Sequence, residues 1–170
     1  MVIRQEKPSD YDEVYELLKI SFGTTSNDAE WDYLNEVRKK DSFIPELSLV
    51  AQNDDGKIIG QIVLYKTKIF TKDKEYTELL LSPVCVHPDY FRRGIARSLI
   101  KESFRIATGL GYKAVFLCGE PEIYRKLGFA PTYEYNIFHV TDESKKAEWS
   151  MVYELIKGSL KNISGTIDTV

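Results

Sequence analysis

The stretch from Tyr76 to Gly119 constrains the fold more than any other part of the sequence. It reads as an apolar strand, "YTELLLSPVCV", a helix from about Arg93 to Gly109, and a second, buried strand, "KAVFLCG". Apolar residues at steps of three and four indicate the helix, namely Ala96, Ile100, Phe104 and Ala107. A strand, a crossover helix and a further strand in one sheet run parallel. The stretch therefore predicts at least one parallel strand pair.

The remaining elements place this pair in a sheet that is otherwise antiparallel. The strands "ELSLVAQ" and "KIIGQIVLYKTKIF" flank Asn53-Asp54-Asp55-Gly56, whose composition is typical of a hairpin turn. Pro83 cannot donate a hydrogen bond to a neighbouring strand, so we expect a bulge near Ser82–Pro83. The sequence thus predicts an α/β (α+β) fold, with a mixed, mostly antiparallel central sheet flanked by helices.

The two ends of the chain contribute further helices and strands. Val2–Arg4 predicts a first strand, and Ser9 is the predicted cap of the helix that follows. Asn27 with Glu30 predicts the start of a second helix. A short helix is predicted over Glu122–Leu127, ahead of two long aromatic strands, "APTYEYNIFHV" and "EWSMVYELI".

Length and composition limit both the architecture and the partners. With 170 residues, 43% of them hydrophobic, the chain is expected to form a single domain, residues 1–170. The net charge of −3 argues against non-specific nucleic-acid binding, and no apolar run approaches membrane-spanning length. The N-terminal residues lack the apolar core of a secretory leader, so we expect a cytoplasmic protein with Cys85 and Cys118 reduced. The spacing of these cysteines matches no zinc pattern, and no metal site is predicted.

Arg92-Arg93-Gly94 stands at a helix start, where acidic or small polar residues are normally favoured. A helix start exposes free N–H groups and the positive end of the helix dipole, which together bind anions. Gly94 lets the backbone approach a ligand closely, and Arg97 adds a further charge. The segment predicts a site for a phosphate-bearing ligand. Solvated surface charges beside an ordinary turn explain three residues equally well, and the spacing matches neither a P-loop nor GxGxxG.

The run "VCVHPDYFRRGIARSLI" extends from the end of a predicted strand into a predicted helix. It resembles a segment of the GNAT N-acetyltransferases with the pattern [R/Q]-x-x-G-x-[G/A], which reads here from Phe91 to Ala96. The run "YRKLGF", Tyr124 to Phe129, is similar to the family's second hallmark. The runs "PELSLVAQNDDGKIIGQI" and "MVYELIKGSLKNISG" resemble small bacterial members, so the resemblance covers essentially the whole chain. One position departs from the pattern, because Phe91 stands where Arg or Gln is usual.

The resemblance implies a GNAT fold with a splayed parallel strand pair, and acetyl-CoA as cosubstrate. It implies that one turn holds the cofactor pyrophosphate, formed by Arg92, Arg93, Gly94, Ile95, Ala96 and Arg97. It also implies that backbone groups of three strand residues pair with the pantetheine arm, namely Val84, Cys85 and Val86, whose side chains are expected to pack in the core. Phe91 lacks the polar contacts of the usual residue, but backbone N–H groups make the main contacts in the family, so binding is expected to persist.

Acetyl transfer to an amine requires aligned reactants, a polarised carbonyl, removal of the amine proton and departure of a thiolate. Tyr124 is the candidate general acid, because a phenol is neutral near pH 7 and the family places a tyrosine beside the CoA sulfur. Packing of the short helix is its alternative role. Glu78 is the candidate base, directly or through water, with a solvated strand-end charge as the alternative. An acetyl-cysteine route through Cys85 or Cys118 is disfavoured because both look buried, and the sequence identifies no partner for His139.

The sequence thus predicts an acetyl-CoA-dependent N-acetyltransferase that acts by direct attack in a ternary complex. Its acceptor would be a small-molecule or protein amine, and the acidic balance favours a cationic one. Two alternatives stay open: a non-catalytic acyl-CoA-binding sensor, and another phosphate binder such as a nucleotide module. The long C-terminal strands could also pair across a homodimer.

Overall fold

A computed structural model describes residues 1–23 and 28–169. Its regular elements are, in chain order, β1 (Val2–Gln5), α1 (Tyr11–Phe22), α2 (Ala29–Lys39), β2 (Ser48–Gln52), β3 (Ile58–Thr71), β4 (Glu75–Val86), α3 (Ile95–Gly109), β5 (Ala114–Cys118), α4 (Pro121–Tyr124), β6 (Ala130–Pro131), β7 (Ile137–His139), β8 (Ser150–Glu154) and β9 (Gly165–Ile167). The chain forms two compact units. The first comprises Met1–Tyr65 and Ser82–Ile106, and the second comprises Lys66–Leu81 and the chain from Ala107 onward.

The first unit is built on the antiparallel strands β1, β2 and β3. Strand β1 pairs with β2 from Val2, which lies opposite Gln52, and β2 pairs with β3 along most of its length. The predicted hairpin turn joins β2 to β3, and the Gly56 N–H donates to the Asn53 carbonyl across it at 3.0 Å. Gly56 has φ 81°, a left-handed conformation that glycine adopts without steric cost, which explains the composition of the turn.

Helices pack against both faces of β3 within this unit. A Cβ atom on Gly60 would lie 3.0 Å from side-chain atoms of both Ile95 and Leu99, so α3 can approach this strand closely only where the side chain is absent. Tyr65, five residues further along, hydrogen-bonds Tyr33 of α2 from the opposite face. Leu34 and Val37 of α2 are buried, as are Ile95 and Leu99 of α3. The absence of a side chain at Gly60 therefore lets the first turn of α3 pack closely on β3.

The second unit contains the predicted parallel pair. Leu79 and Leu80 of β4 lie opposite Val115 and Phe116 of β5 in parallel register. Strand β8 pairs antiparallel with β5 along its whole length and also with β6, and β9 lies antiparallel to the end of β3 and parallel to β7. The mixed, mostly antiparallel sheet with flanking helices confirms the predicted fold class.

Several local predictions were wrong. The run "APTYEYNIFHV" does not form one strand, because a 3-10 turn over Thr132–Tyr135 ends at Asn136 with φ 58° and separates β6 from β7. Strand β9 was not predicted. Ser9 does not cap α1, since the cap position is Asp10, whose carboxylate bonds Arg4 and the backbone of the preceding turn.

Three further predictions concern the start of α2, the Ser82–Pro83 bond and membrane-spanning segments. The predicted helix start at Asn27 lies outside the described residues, although α2 itself follows from Ala29. The Ser82–Pro83 peptide bond is cis at the position where a bulge was predicted. None of the helices in the described ranges is both long and apolar enough to span a membrane.

Candidate functional site

The turn between β4 and α3 carries the predicted anion site. Arg92 and Gly94 both have positive φ, 61° and 77°, so the backbone winds tightly here before α3 starts. The first helical bond runs from the Ser98 N–H to the Gly94 carbonyl at 2.9 Å. Six consecutive N–H groups, from Arg92 to Arg97, donate to no acceptor in the described part of the chain. Such a row of unpaired donors at a helix start has the geometry that binds phosphate groups in proteins.

The side chains of this turn reinforce its positive potential. Arg92, Arg93 and Arg97 are exposed, and the ion pairs among described residues include none of them. Ile95 is buried against Gly60, and Ala96 is half-buried, so these two residues can offer a ligand only their backbone groups. The structure thus brings the six predicted pyrophosphate-binding residues into one turn, with charge supplied by three of them.

Phe91 departs from the family pattern and points away from the core. Its side chain is 57% exposed, and its N–H donates to the Pro88 carbonyl at 3.1 Å. The N–H is therefore occupied by a short 3-10 turn, Pro88–Tyr90, that precedes the anion site. Replacing Arg or Gln by Phe at this position leaves the six donors that follow it unchanged.

Two valine side chains at the end of β4 are less deeply buried than the sequence predicts. Val84 and Val86 are half-buried, whereas Cys85 between them is in the core, so the expectation that both valines pack there was wrong. Burial raises the pKa of the Cys85 thiol to about 12, which leaves it protonated and unreactive at neutral pH. The Ser21 hydroxyl donates to the Val86 carbonyl at 3.2 Å and links the end of α1 to this strand.

Tyr124 closes the short helix α4 and lies directly on Gly119. A Cβ atom at position 119 would lie 2.4 Å from the Tyr124 ring, so only glycine accommodates this contact. The ring also packs edge-on against Phe129, with 5.7 Å between the centroids. Burial raises the pKa of Tyr124, and its hydroxyl bonds no group in the described residues. The side chain is therefore a protonated donor that no group within residues 1–23 and 28–169 occupies.

Glu78 is not the solvated strand-end charge that the sequence offered as an alternative. It is buried, and its Oε2 accepts the N–H groups of Lys113 and Ala114 at 2.8 and 3.1 Å. Burial raises the pKa of Glu78, and the two backbone hydrogen bonds oppose this shift. The carboxylate thus ties β4 to the start of β5, just before the parallel pair.

Cys118 and His139 meet at a residue that the sequence did not identify. The Thr169 hydroxyl lies 3.2 Å from Cys118 Sγ and 2.8 Å from His139 Nε2. The Thr141 N–H donates to His139 Nδ1 at 3.2 Å, so the two ring nitrogens contact different threonines. Cys118 is exposed, so the expectation of two buried cysteines was wrong, although local desolvation raises the pKa of this thiol.

Within residues 1–23 and 28–169, no three His, Cys, Asp or Glu side chains lie close enough together to hold a metal ion.

Comparison with known proteins identifies the family to which this geometry belongs. The profile of the acetyltransferase (GNAT) domain matches residues 2–132. The uncharacterised N-acetyltransferase YhbS of Escherichia coli K12 is 33% identical over 129 residues, which cover 76% of this chain and 73% of YhbS. The chain therefore belongs to the GNAT acetyltransferase family.

Solved structures agree with this assignment. A crystal structure of Escherichia coli YhbS in complex with CoA superposes with a TM-score of 0.86 at 26% identity, over 99% of this chain and 89% of that one. A GNAT family acetyltransferase from Brucella melitensis, in complex with acetyl-CoA, superposes with a TM-score of 0.67 at 28% identity, over 88% and 85% of the two chains.

Proposed function

We propose that the protein transfers an acetyl group from acetyl-CoA to a primary amine by direct attack in a ternary complex. The observation that carries this proposal is the row of unpaired N–H groups from Arg92 to Arg97, beside three exposed guanidinium groups, in a member of the GNAT family. Pyrophosphate requires several convergent donors and positive charge. The relatives solved with CoA and acetyl-CoA support this choice of ligand.

The backbone of the first unit would bind and orient the thioester. The turn N–H groups hold the pyrophosphate, and backbone groups of Val84, Cys85 and Val86 pair with the pantetheine arm. A backbone N–H near Val86 polarises the thioester oxygen, whose negative charge grows as the amine attacks. These roles use main-chain atoms, so they do not depend on the residue at position 91.

Tyr124 would donate a proton to the departing sulfur. Its raised pKa keeps the phenol protonated at neutral pH, and its hydroxyl has no competing partner in the described residues. A thiol has a pKa of about 8.5, so the thiolate leaves readily and needs less assistance than an amine would. General acid catalysis contributes about 10² to 10⁴-fold, and we expect the lower end of this range here.

Glu78 remains the proposed general base. A primary amine has a pKa of about 10.4 and must lose a proton before it attacks. The raised pKa of Glu78 brings its carboxylate closer to the range in which a base is effective. Because Oε2 already accepts two backbone N–H groups, Oε1 is the atom that would take the proton, directly or through water.

The test is turnover by the purified protein, measured as release of the free CoA thiol. The acceptor panel would include small amines, amino-acid derivatives, aminoglycosides and lysine peptides. Tyr124→Phe should lower kcat by about 10²-fold while the Kd for acetyl-CoA changes less than twofold. Tyr76→Phe is the matched control, because this half-buried tyrosine lies beside Lys74 at the start of β4 and has no proposed role.

Turnover and binding together distinguish an acetyltransferase from a non-catalytic sensor. A wild-type rate in Tyr124→Phe would contradict the role of this residue. Binding of acetyl-CoA without turnover on any amine would instead support a non-catalytic sensor.

A further inference from the structure

We propose that Tyr90 is a positioning residue for the cofactor site: it holds the Arg93 guanidinium in place to receive a phosphate of CoA. The inference rests on the proposed function, since it assumes that the turn binds CoA. The Arg93 guanidinium carbon lies over the Tyr90 ring, 5.0 Å from its centroid. Arg93 belongs to none of the ion pairs among the described residues, so this ring is the protein group that orients its charge.

The Tyr90 ring is itself fixed from two sides. Asn53 Nδ2 donates to the Tyr90 hydroxyl at 3.0 Å, and the His87 ring packs edge-on, with 5.8 Å between the centroids and 86° between the planes. A tyrosine anchored at its hydroxyl and its edge presents a face of fixed orientation. A cation on that face has fewer positions to sample than one on a free surface ring.

Asn53 is held in turn by the β2–β3 hairpin. Its Oδ1 accepts the N–H groups of Asp55 and Lys57 at 3.1 and 2.9 Å. These two bonds assign the oxygen to the turn and leave Nδ2 to face Tyr90. The hairpin turn that the sequence predicts for folding reasons therefore also connects, through Asn53 and Tyr90, to Arg93.

The backbone around Arg93 makes this arrangement useful for binding. Arg92 and Gly94, both at positive φ, flank it in the turn whose N–H groups have no acceptor among the described residues. A long side chain that is ordered before binding loses less conformational freedom when the ligand arrives. Tyr90 would thus strengthen binding through Arg93 without touching the ligand.

The test is a double-mutant cycle on the Kd for CoA, measured calorimetrically with the full-length protein. Arg93→Gln should raise the Kd about tenfold, because it removes a charge-assisted contact to phosphate. Tyr90→Leu should raise it about two- to fivefold by removing the cation–π contact and the ordering of Arg93. Tyr90→Phe keeps the ring but loses the Asn53 hydrogen bond to the hydroxyl, so it should raise the Kd by less than Tyr90→Leu does.

The decisive quantity is the effect of Tyr90→Leu in the Arg93→Gln background. If Tyr90 acts through Arg93, this effect should vanish, whereas independent contributions would add and overturn the proposal. A loss of structure alone would weaken binding in both backgrounds, so additivity also identifies that case. The same cycle with dephospho-CoA, which lacks the 3′-phosphate, shows which phosphate Arg93 contacts. If the coupling energy between Tyr90 and Arg93 persists, Arg93 contacts the pyrophosphate; if it disappears, Arg93 contacts the 3′-phosphate. Both results support the proposal.

Failure of the proposed function gives a different result. Wild-type protein that does not bind CoA overturns the acetyltransferase proposal and this inference together. Wild-type protein that binds CoA, with Tyr90→Leu also binding at the wild-type Kd, overturns the positioning role alone.

Discussion

A methyl group added at position 119 should displace Tyr124, the proposed general acid, while leaving its phenol group chemically unchanged. The Cβ of Gly119→Ala would lie 2.4 Å from one carbon of the Tyr124 ring and 2.9 Å from another, whereas ordinary contact begins near 3.4 Å. The ring must therefore move by about 1 Å, and a displacement of that size at a reacting group costs up to about 10²-fold in rate. Overpacking of this kind also lowers the free energy of unfolding by about 1–3 kcal/mol.

The assay compares kcat and the Kd for acetyl-CoA in wild type, Gly119→Ala and Gly109→Ala. Gly109 is the matched control, because a Cβ there would meet nothing within 4 Å and its φ is not positive. We expect Gly119→Ala to lose about 10²-fold in kcat with little change in Kd, and Gly109→Ala to behave as wild type. A folded Gly119→Ala protein with the wild-type kcat would show that catalysis does not depend on the position of Tyr124.

Three further perturbations test other parts of the structure. Burial raises the pKa of Glu78, so ionisation of its carboxyl group opposes folding. In denaturant unfolding, the free energy of unfolding of wild type should therefore decrease relative to that of Glu78→Gln as pH rises above 4.5. A difference between the two proteins that does not change with pH would contradict this. If Glu78 is also the general base, its protonation lowers kcat of wild type at low pH, and this decrease should be absent from Glu78→Gln. Arg92→Gly should raise the free energy of unfolding by up to about 1 kcal/mol, because φ 61° is costly for a side chain, whereas Arg93→Gly should not. A thiol reagent should label Cys118 in the native protein and spare Cys85, whose pKa is about 12; rapid labelling of both would show that Cys85 is accessible.

The parts of the fold that the sequence predicts well are those with strong periodicity. Helix α3 was placed within two residues of its observed start because its apolar positions recur at steps of three and four. The β2–β3 hairpin was found because Asn53 and Gly56 have specific conformational roles in the turn. Both are local effects, which sequence spacing records directly.

The parts that were missed depend on distant contacts or weak local preference. Strand β9 has only three residues, Gly165–Ile167, and forms by pairing with β3 and β7 rather than by its own pattern. The run from Ala130 to Val140 is rich in aromatic residues, which favour strands, yet Asn136 adopts a left-handed conformation that interrupts it. An asparagine is the one local indication of that break.

The candidate functional residues also divide into those set by local sequence and those set by distant contacts. The turn from Arg92 to Arg97 could be predicted because a helix start needs no distant partner to expose its N–H groups. The contact between Asn53 and Tyr90, and the Thr169 bridge between Cys118 and His139, join residues far apart in the chain. Their residue types alone gave no indication of these contacts.

Cofactor binding should be measured first, by calorimetric titration of the wild-type protein with acetyl-CoA, with ATP and dephospho-CoA as controls. We expect micromolar binding of acetyl-CoA and much weaker binding of ATP, because only acetyl-CoA would place a pyrophosphate in the turn and a pantetheine arm along the β4 backbone. Equal binding of ATP would reduce the site to a general phosphate binder. Absence of acetyl-CoA binding would contradict the account, since the unpaired N–H groups and arginines at the start of α3 would then have a different purpose.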